Sequence, residues 1–439
     1  MSDALLKALN AFDLKAYPTL WLGFSGGVDS TALMHALSDV PKLKSRLSAI
    51  HINHGIQANA NDSWQQHCQL TCAALDIPLV IKIIKPGTFD NASNLEELAR
   101  NARYQAFEEI VQPNDALLLA HHQGDQAETV LLRLFRGAGI DGLSAMKAKS
   151  QRKHVTLLRP FLSLSKTEII AYAEQKQLNW VNDSSNQDNK FNRNFIRNEV
   201  MPLLQSRYPG IEKNLGRTAS LCLESQQQLS QSLAKTYQCC VNENKTFSVN
   251  TLLQQTQTEQ CLLLRQWLSS FNANMPAQAK LISFLNVLTN AGEDKHALLE
   301  LGTHRVQVHQ QQLHYYKTMP VRLKPTNQDW PAPFTPHYCE AFDADLQLTS
   351  TTVNAKLCIP DNALLEIRMR QGGETIRLNG MTQKVKKLLH QLNIPFWQRP
   401  YLPLLYINGT LATIGDQIIA DSFNQINQNT HFLRFQPSL

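Results

Sequence analysis

The sequence predicts an α/β protein in three parts: an N-terminal parallel-sheet domain, a mostly helical middle domain and a small α+β C-terminal domain. Three observations carry this. Strand-like and helix-like patterns alternate over roughly the first 200 residues, as in parallel sheets with crossover helices. Helical apolar spacing then takes over from Ile211 to about Ala234, Glu259 to Phe271 and Ala277 to Leu288. Near the end, two apolar runs flank Asn408-Gly409, the signature of a two-residue hairpin turn.

Taken in order, the strand candidates are Leu20–Phe24, Leu47–Ile52, Leu79–Ile84 and Ala116–Ala120, each a short apolar run. Helices are expected between them at Asp29–Leu37, Asn61–Leu75 and Asn94–Val111. Trp180 to Arg197 is irregular and rich in Asn, Asp and Ser. The middle domain closes in short strands at Ala297–Leu301, Arg305–His309 and Gln312–Tyr316, and a Pro-containing stretch from Pro320 to Pro336 reads as a linker. The expected boundaries are 1–215 for the first domain, 216–320 for the middle domain, 321–350 for the linker and 351–439 for the last.

The chain has 439 residues, with 43% hydrophobic and 18% charged residues, enough for two or three ordinary globular cores. No apolar run approaches the ~20 residues that span a bilayer. The N-terminus (Leu5, Leu6, Leu9, Phe12) reads as an amphipathic helix without a secretory h-region, so a cytoplasmic protein is expected. None of the eight cysteines forms Cys-x-x-Cys, which speaks against zinc and iron–sulfur sites. The net charge of +6 is unevenly spread. Lys147 to Lys166 holds six basic residues and no acid, and Arg368 to Lys387 holds six (Arg368, Arg370, Arg377, Lys384, Lys386, Lys387) against Glu374 alone. Two such blocks in separate domains point to an extended polyanion.

Chemistry is concentrated where the strands end. Leu20 to Phe24 runs into Ser25-Gly26-Gly27 and then a helix starting near Val28, a geometry that aims backbone N–H groups and a helix dipole at one anion. The glycines permit close approach, Ser25, Ser30 and Thr31 add hydroxyls, and Asp29 adds a carboxylate suited to Mg²⁺. No lysine follows, so this is not the common Gly-Lys-Ser/Thr nucleotide loop. Two other strand ends fall in register: His51-Ile52-Asn53-His54-Gly55 and His121-His122. In the block His121 to Thr129, Asp125 and Glu128 are three apart and so share one helix face.

The Ser-Gly-Gly-x-Asp-Ser string resembles the pyrophosphate loop of the ATP pyrophosphatases. The wider set of strings resembles the bacterial tRNA(Ile)-lysidine synthetases over nearly the full length. Besides the strand-end motifs, that set comprises Glu97–Arg100, Arg103-Tyr104, Arg136–Gly139, Gly142–Met146, Arg159–Phe161, Asp183–Asn186 and Phe191–Arg197. In the last domain it comprises Arg370–Glu374, Lys386–Leu389 and Ile394–Arg399. One departure is Gly124, where relatives often carry an acid.

The resemblance implies a Rossmann-like PP-loop ATPase domain and two-step chemistry. ATP adenylates the cytidine at the first anticodon position of a tRNA(Ile) with a CAU anticodon, and L-lysine then attacks and expels AMP. It implies ATP binding at Ser25, Gly26, Gly27, Val28, Asp29, Ser30, His51 and His54. Asp125 and Glu128 would bind the lysine ammonium, with one of them or His122 taking its proton. An unassisted ε-amine is neutral in only roughly one molecule in two thousand at pH 7. Asp29 is expected to assist catalysis, with Mg²⁺ as its metal. Arg193, Arg197, Arg368, Arg370, Lys384, Lys386 and Lys387 are the expected tRNA contacts. A sulfur-inserting tRNA thiolase is the nearest rival, but it would use reactive cysteines of the missing Cys-x-x-Cys type; an amidotransferase domain for a glutamine-dependent synthetase is not visible. Monomer and homodimer both remain open.

Overall fold

The structure is a computed structural model that describes residues 3–53, 58–84, 95–181, 188–290, 297–318, 327–329, 337–339, 344–349, 357–416, 418–424 and 430–437. The chain divides into two compact units, one formed by Met1–Asn242 with Thr251–Met275, the other by Glu243–Asn250 with Pro276–Leu439.

In the first unit, four parallel strands β1 (Leu20–Gly23), β2 (Leu47–Asn53), β3 (Leu79–Ile83) and β4 (Ala116–Leu118) form most of a six-stranded sheet. The antiparallel pair β5 (Lys149–Arg152) and β6 (Val155–Leu158) completes it, in the order β3-β2-β1-β4-β6-β5, with β6 parallel to β4. Leu20 and Leu22 of β1 are wholly buried because the strand is paired on both sides and covered by helices, as a central parallel strand must be. The crossover helices are α2 (Val28–Ser38), α3 (Ala58–Ala74) and α4 (Leu95–Ile110), preceded by α1 (Asp3–Asn10) and followed by α5 (Gln123–Phe135) and α6 (Lys166–Gln175). α2 is buried nearly all round, with Ala32, Leu33, Met34, Ala36 and Leu37 inaccessible, so it lies inside the domain.

Because β2 and β3 run out on one side of β1 and β4 lies on the other, strand order reverses between β1 and β4. Crevices beyond the carboxyl ends of strands at such a reversal collect ligands. The serine–glycine loop follows β1 and the His121–Thr129 block follows β4, so the two flank this crevice. Beyond α6, a short α-turn (Asn192–Phe195) and a π-helical turn (Ile196–Val200) lead into α7 (Met201–Arg207) and the long α8 (Ile211–Ser232), which packs on α5. α9 (Gln257–Ser269) also belongs to this unit.

The second unit contains α10 (Gln278–Asn290) and the antiparallel strands Leu298–Leu301, His304–His309 and Gln312–Lys317, followed by small antiparallel sheets and α11 (Val385–Gln391). The expected hairpin is present: Leu404–Ile407 pairs with Thr410–Ile414, and Asn408 and Gly409 both have positive φ, 49° and 76°. That is the backbone a type I′ turn requires, and it suits Asn-Gly. Most of the expected linker 321–350 lies outside the described residues.

Candidate active site

The loop after β1 is a self-bonded cradle. Gly26 has φ 78°, and its carbonyl accepts from Val181 N–H at 2.9 Å. A Cβ on Gly26 would sit 3.1 Å from Cys68 Sγ, so both conformation and space call for glycine. Gly27 caps α2 in an extended conformation. The Ser25 and Ser30 hydroxyls are 3.1 Å apart, and Ser30 Oγ donates to Gly27 O at 3.1 Å. Ser25 N–H donates to Ser30 Oγ at 3.3 Å, which fixes the loop against the first turn of α2. Val28, at the start of α2, is buried beneath the loop.

Asp29 is not alone. Lys166 Nζ lies 2.7 Å from both of its carboxylate oxygens. Lys166 opens α6, where Ser165 and Glu168 form a capping box. A cation in the first turn opposes the helix dipole, and the ion pair with Asp29 offsets this. Sequence reading missed the pair because 137 residues separate its members; the out-of-place lysine was the available signal. Among the described residues no cluster of three or more His, Cys, Asp or Glu side chains could hold a metal. Mg²⁺ is commonly held by one or two carboxylates plus substrate phosphates. Asp29 fits that donor set once it shares an oxygen with Lys166.

His51 is anchored through one ring nitrogen. Its Nδ1–H donates to Phe24 O at 2.9 Å with Cys68 Sγ at 3.4 Å, so the buried ring braces the strand end beneath the loop. Burial lowers the His51 pKa and pushes the Cys68 thiol up to about 12, leaving both neutral. His54 lies outside the described residues.

Across the crevice, α5 begins with a cap made by the predicted residues themselves. His122 Nδ1 accepts from Gly124 N–H at 3.0 Å, and Asp125 Oδ2 accepts from His122 N–H at 3.0 Å. The Nδ1 lone pair is thus engaged, and Nε2, 3.6 Å from Asp125 Oδ2, carries the ring hydrogen. His122 thus caps α5 through the same ring that was expected to act on the lysine. Gly124 is tight as well. A Cβ there would meet His122 Cε1 at 2.8 Å, so an acidic side chain at 124 would displace the cap.

Asp125 and Glu128 do share a face, and it is met by two arginines from the irregular segment. Arg193 bridges Glu128 Oε2 (2.7 Å) and Asp125 Oδ1 (2.9 Å), and Arg197 bridges Glu128 Oε1 (2.6 Å) and Asp125 Oδ1 (3.1 Å). The four-residue spacing, spanning the π-helical turn, carries both guanidiniums to α5. Burial alone would raise the Asp125 pKa. The His122 imidazole, then Arg193 and His121, with the bond from the His122 N–H, outweigh it and hold the carboxyl well below its usual range. The cluster therefore unites residues expected to serve two different substrates.

Further cations gather around Tyr104. Arg100 and Arg152 lie 5.1 and 4.7 Å from its ring, with Arg152 also paired to Glu108, and Arg103, which also feels the charge of Asp125, lies 5.8 Å from it. Burial opposes ionisation of Tyr104, but Arg100, Arg159 and Arg103 outweigh it and bring the phenol below its ordinary value. Arg159 Nε and the Tyr104 hydroxyl are buried without a well-formed hydrogen bond among the described residues. Arg133 donates to Gly142 O (2.6 Å) and Ala145 O (3.0 Å), and the Gln126 amide exchanges two 2.9 Å bonds with Met146, fixing the 142–146 segment to α5. The wall is strongly net positive, which suits a polyanionic substrate.

In the second unit, Lys384, Lys386 and Lys387 are exposed at the start of α11 and form no ion pair among the described residues. Arg368 stacks on Tyr406 at 4.0 Å and bonds Glu366, while Arg370 lies 3.5 Å from Glu374. The lysines, with the exposed Arg377, are thus the cations of that block most open to a ligand, and Arg368 and Arg370 are partly committed within the fold.

A serine–glycine pyrophosphate-type loop at a sheet's switch point defines the class: residues 2–204 match the PP-loop domain family. Residues 247–314 match the TilS substrate binding domain and 365–435 the TilS substrate C-terminal domain. Curated relatives named tRNA(Ile)-lysidine synthase include one from Legionella pneumophila (strain Paris), 38% identical over 94% of each chain. Another, from Yersinia pseudotuberculosis serotype O:1b, is 35% identical over 93% of each. The chain belongs to the tRNA(Ile)-lysidine synthase family. A solved U34-tRNA thiolase NcsA from Methanococcus maripaludis, with its [4Fe-4S] cluster, aligns with 50% of this chain and 77% of its own at 20% identity, with a TM-score of 0.39, too low to argue from.

Proposed function

We propose that this chain forms lysidine on tRNA(Ile) with a CAU anticodon: ATP adenylates the first anticodon cytidine, and the ε-amine of L-lysine displaces AMP. The observation that carries the reading is the pairing, across one switch-point crevice, of a pyrophosphate-type loop with a buried acid pair in cationic surroundings. The membership of the family supports it. Ser25, Gly26, Gly27, Val28 and Ser30 would hold the phosphates, with loop N–H groups stabilising charge on the departing pyrophosphate. Mg²⁺, held through Asp29, would supply further charge neutralisation there. Asp125 and Glu128 would bind the incoming ammonium, sharing their oxygens with Arg193 and Arg197. Those arginines, with the exposed lysines of α11, would contact the tRNA. Among the described residues no helix is long and apolar enough to cross a membrane; a cytoplasmic location suits a tRNA-modifying enzyme.

The test is release of AMP and pyrophosphate from ATP with lysine and tRNA added or withheld. Turnover that needs the tRNA, and continues to AMP only with lysine, supports the reading. ATP cleavage indifferent to both would overturn it.

A further inference from the structure

We propose that Arg197 stands in for the substrate ammonium on the acid pair of α5, so that L-lysine binds tightly only once a phosphate of another substrate has drawn that guanidinium away. The inference rests on the functional reading above, which gives the ammonium to Asp125 and Glu128.

Every carboxylate oxygen of the pair is already engaged. Glu128 Oε1 accepts from Arg197 Nε at 2.6 Å, and Glu128 Oε2 accepts from Arg193 Nε at 2.7 Å and Arg197 Nη2 at 2.9 Å. Asp125 Oδ1 accepts from Arg193 at 2.9 Å and Arg197 at 3.1 Å, and its Oδ2 accepts from the His122 N–H. Two carboxylates and two guanidiniums balance in charge. A third cation set among them leaves a net positive charge in a largely buried cluster that also faces Arg103, and uncompensated buried charge is costly. An ammonium therefore binds well where a guanidinium leaves or an anion arrives, and a phosphate that attracts an arginine supplies both.

Arg197 is better placed to leave than Arg193. Its side chain is 36% exposed against 20% for Arg193. It also belongs to the π-helical turn Ile196–Val200, a rare backbone form that gathers at functional sites. A guanidinium matches phosphate through the same two-pronged geometry that it offers a carboxylate. The exchange therefore replaces one oxyanion by another on Arg197 and gives the released carboxylate oxygens to the ammonium. Arg193 stays as the fixed partner that keeps the two acids oriented. By linkage, the factor by which the phosphate-bearing substrate raises lysine affinity is also the factor by which lysine raises the affinity for that substrate.

The test is equilibrium dialysis of radiolabelled L-lysine against the full chain in states that cannot turn over. These are the free protein, the protein with CAU-anticodon tRNA(Ile) but no ATP, and the protein with α,β-methylene-ATP but no tRNA. Wild type, Arg197→Gln, Arg197→Lys and Arg193→Gln are compared at one ionic strength. In the wild type, the substrate that supplies the phosphate should tighten lysine binding by roughly 5–150-fold, the usual range of coupling between sites. Which of the two does so identifies RNA or nucleotide as the source. Arg197→Gln should bind lysine without that substrate about as tightly as the wild type does with it, and its coupling should vanish, whereas Arg193→Gln should keep the coupling. Arg197→Lys, whose point charge cannot fork across both acids, should show intermediate coupling and serves if the glutamine variant does not fold. A purely structural Arg197 predicts the opposite, a loss of lysine affinity on its removal. That loss, coupling that survives the substitution, or a wild type in which neither substrate tightens lysine binding would overturn the proposal. If the wild type released no AMP in response to lysine during turnover, the functional reading itself would fall instead.

Discussion

Glu128 is the residue on which the site turns. Its side chain is 4% exposed and accepts from two guanidiniums, so removing its charge leaves Arg193 and Arg197 to share Asp125 alone. Losing one partner of a fully buried pair costs about 3–5 kcal/mol, an upper bound here because Asp125 keeps both guanidiniums paired. Glu128→Gln should therefore lower urea stability by less than that and raise the lysine KM; an unchanged KM and kcat would remove Glu128 from the amine site. His121 gives a second prediction at this scale. Its folded pKa of about 3 lies below the unfolded value near 6.5, so the unfolded chain binds the proton first. The neutral ring's contribution to stability is full above pH 6.5 and is lost as pH falls toward 3. His121→Asn should shift the acid-unfolding midpoint, followed by circular dichroism, to lower pH.

At the scale of elements, the parts that were legible are those written locally. The run Leu20–Phe24, the glycine turn and the apolar spacing after Val28 are properties of neighbouring residues, and they became β1, the loop and α2 within a residue or so. Asn408-Gly409 carried its own turn type. What stayed hidden were pairings made by the path of the chain: Lys166 with Asp29 across 137 residues, and Arg193 with Glu128 across 65. The capping role of His122 was hidden for another reason. Histidine is not among the usual N-cap residues, so its neighbours Gly124 and Asp125 pointed to chemistry when they also encode a cap. The loop yields a sharp prediction. Gly26→Ala places a Cβ in a left-handed conformation at about 1–2 kcal/mol and within 3.1 Å of Cys68 Sγ. ATP affinity by equilibrium dialysis should fall roughly tenfold or more, since 1.4 kcal/mol is a factor of ten.

For the whole molecule, the proposed tRNA contacts fall in both units, at Arg193 and Arg197 in the first and at the exposed lysines of α11 in the second. Lys386→Glu with Lys387→Glu should weaken tRNA binding while sparing ATP. The slope of log affinity against log salt should shrink by about 0.7–0.9 for each phosphate that is no longer neutralised. An unchanged slope would place the RNA elsewhere. Lysidine formation itself is measured most directly by nucleoside mass analysis of a CAU-anticodon tRNA(Ile) after incubation with the protein, ATP and isotope-labelled L-lysine. The label is expected in the first anticodon nucleoside, with one AMP and one pyrophosphate released per lysine incorporated. AMP and pyrophosphate release that leaves that nucleoside unlabelled would contradict the assignment.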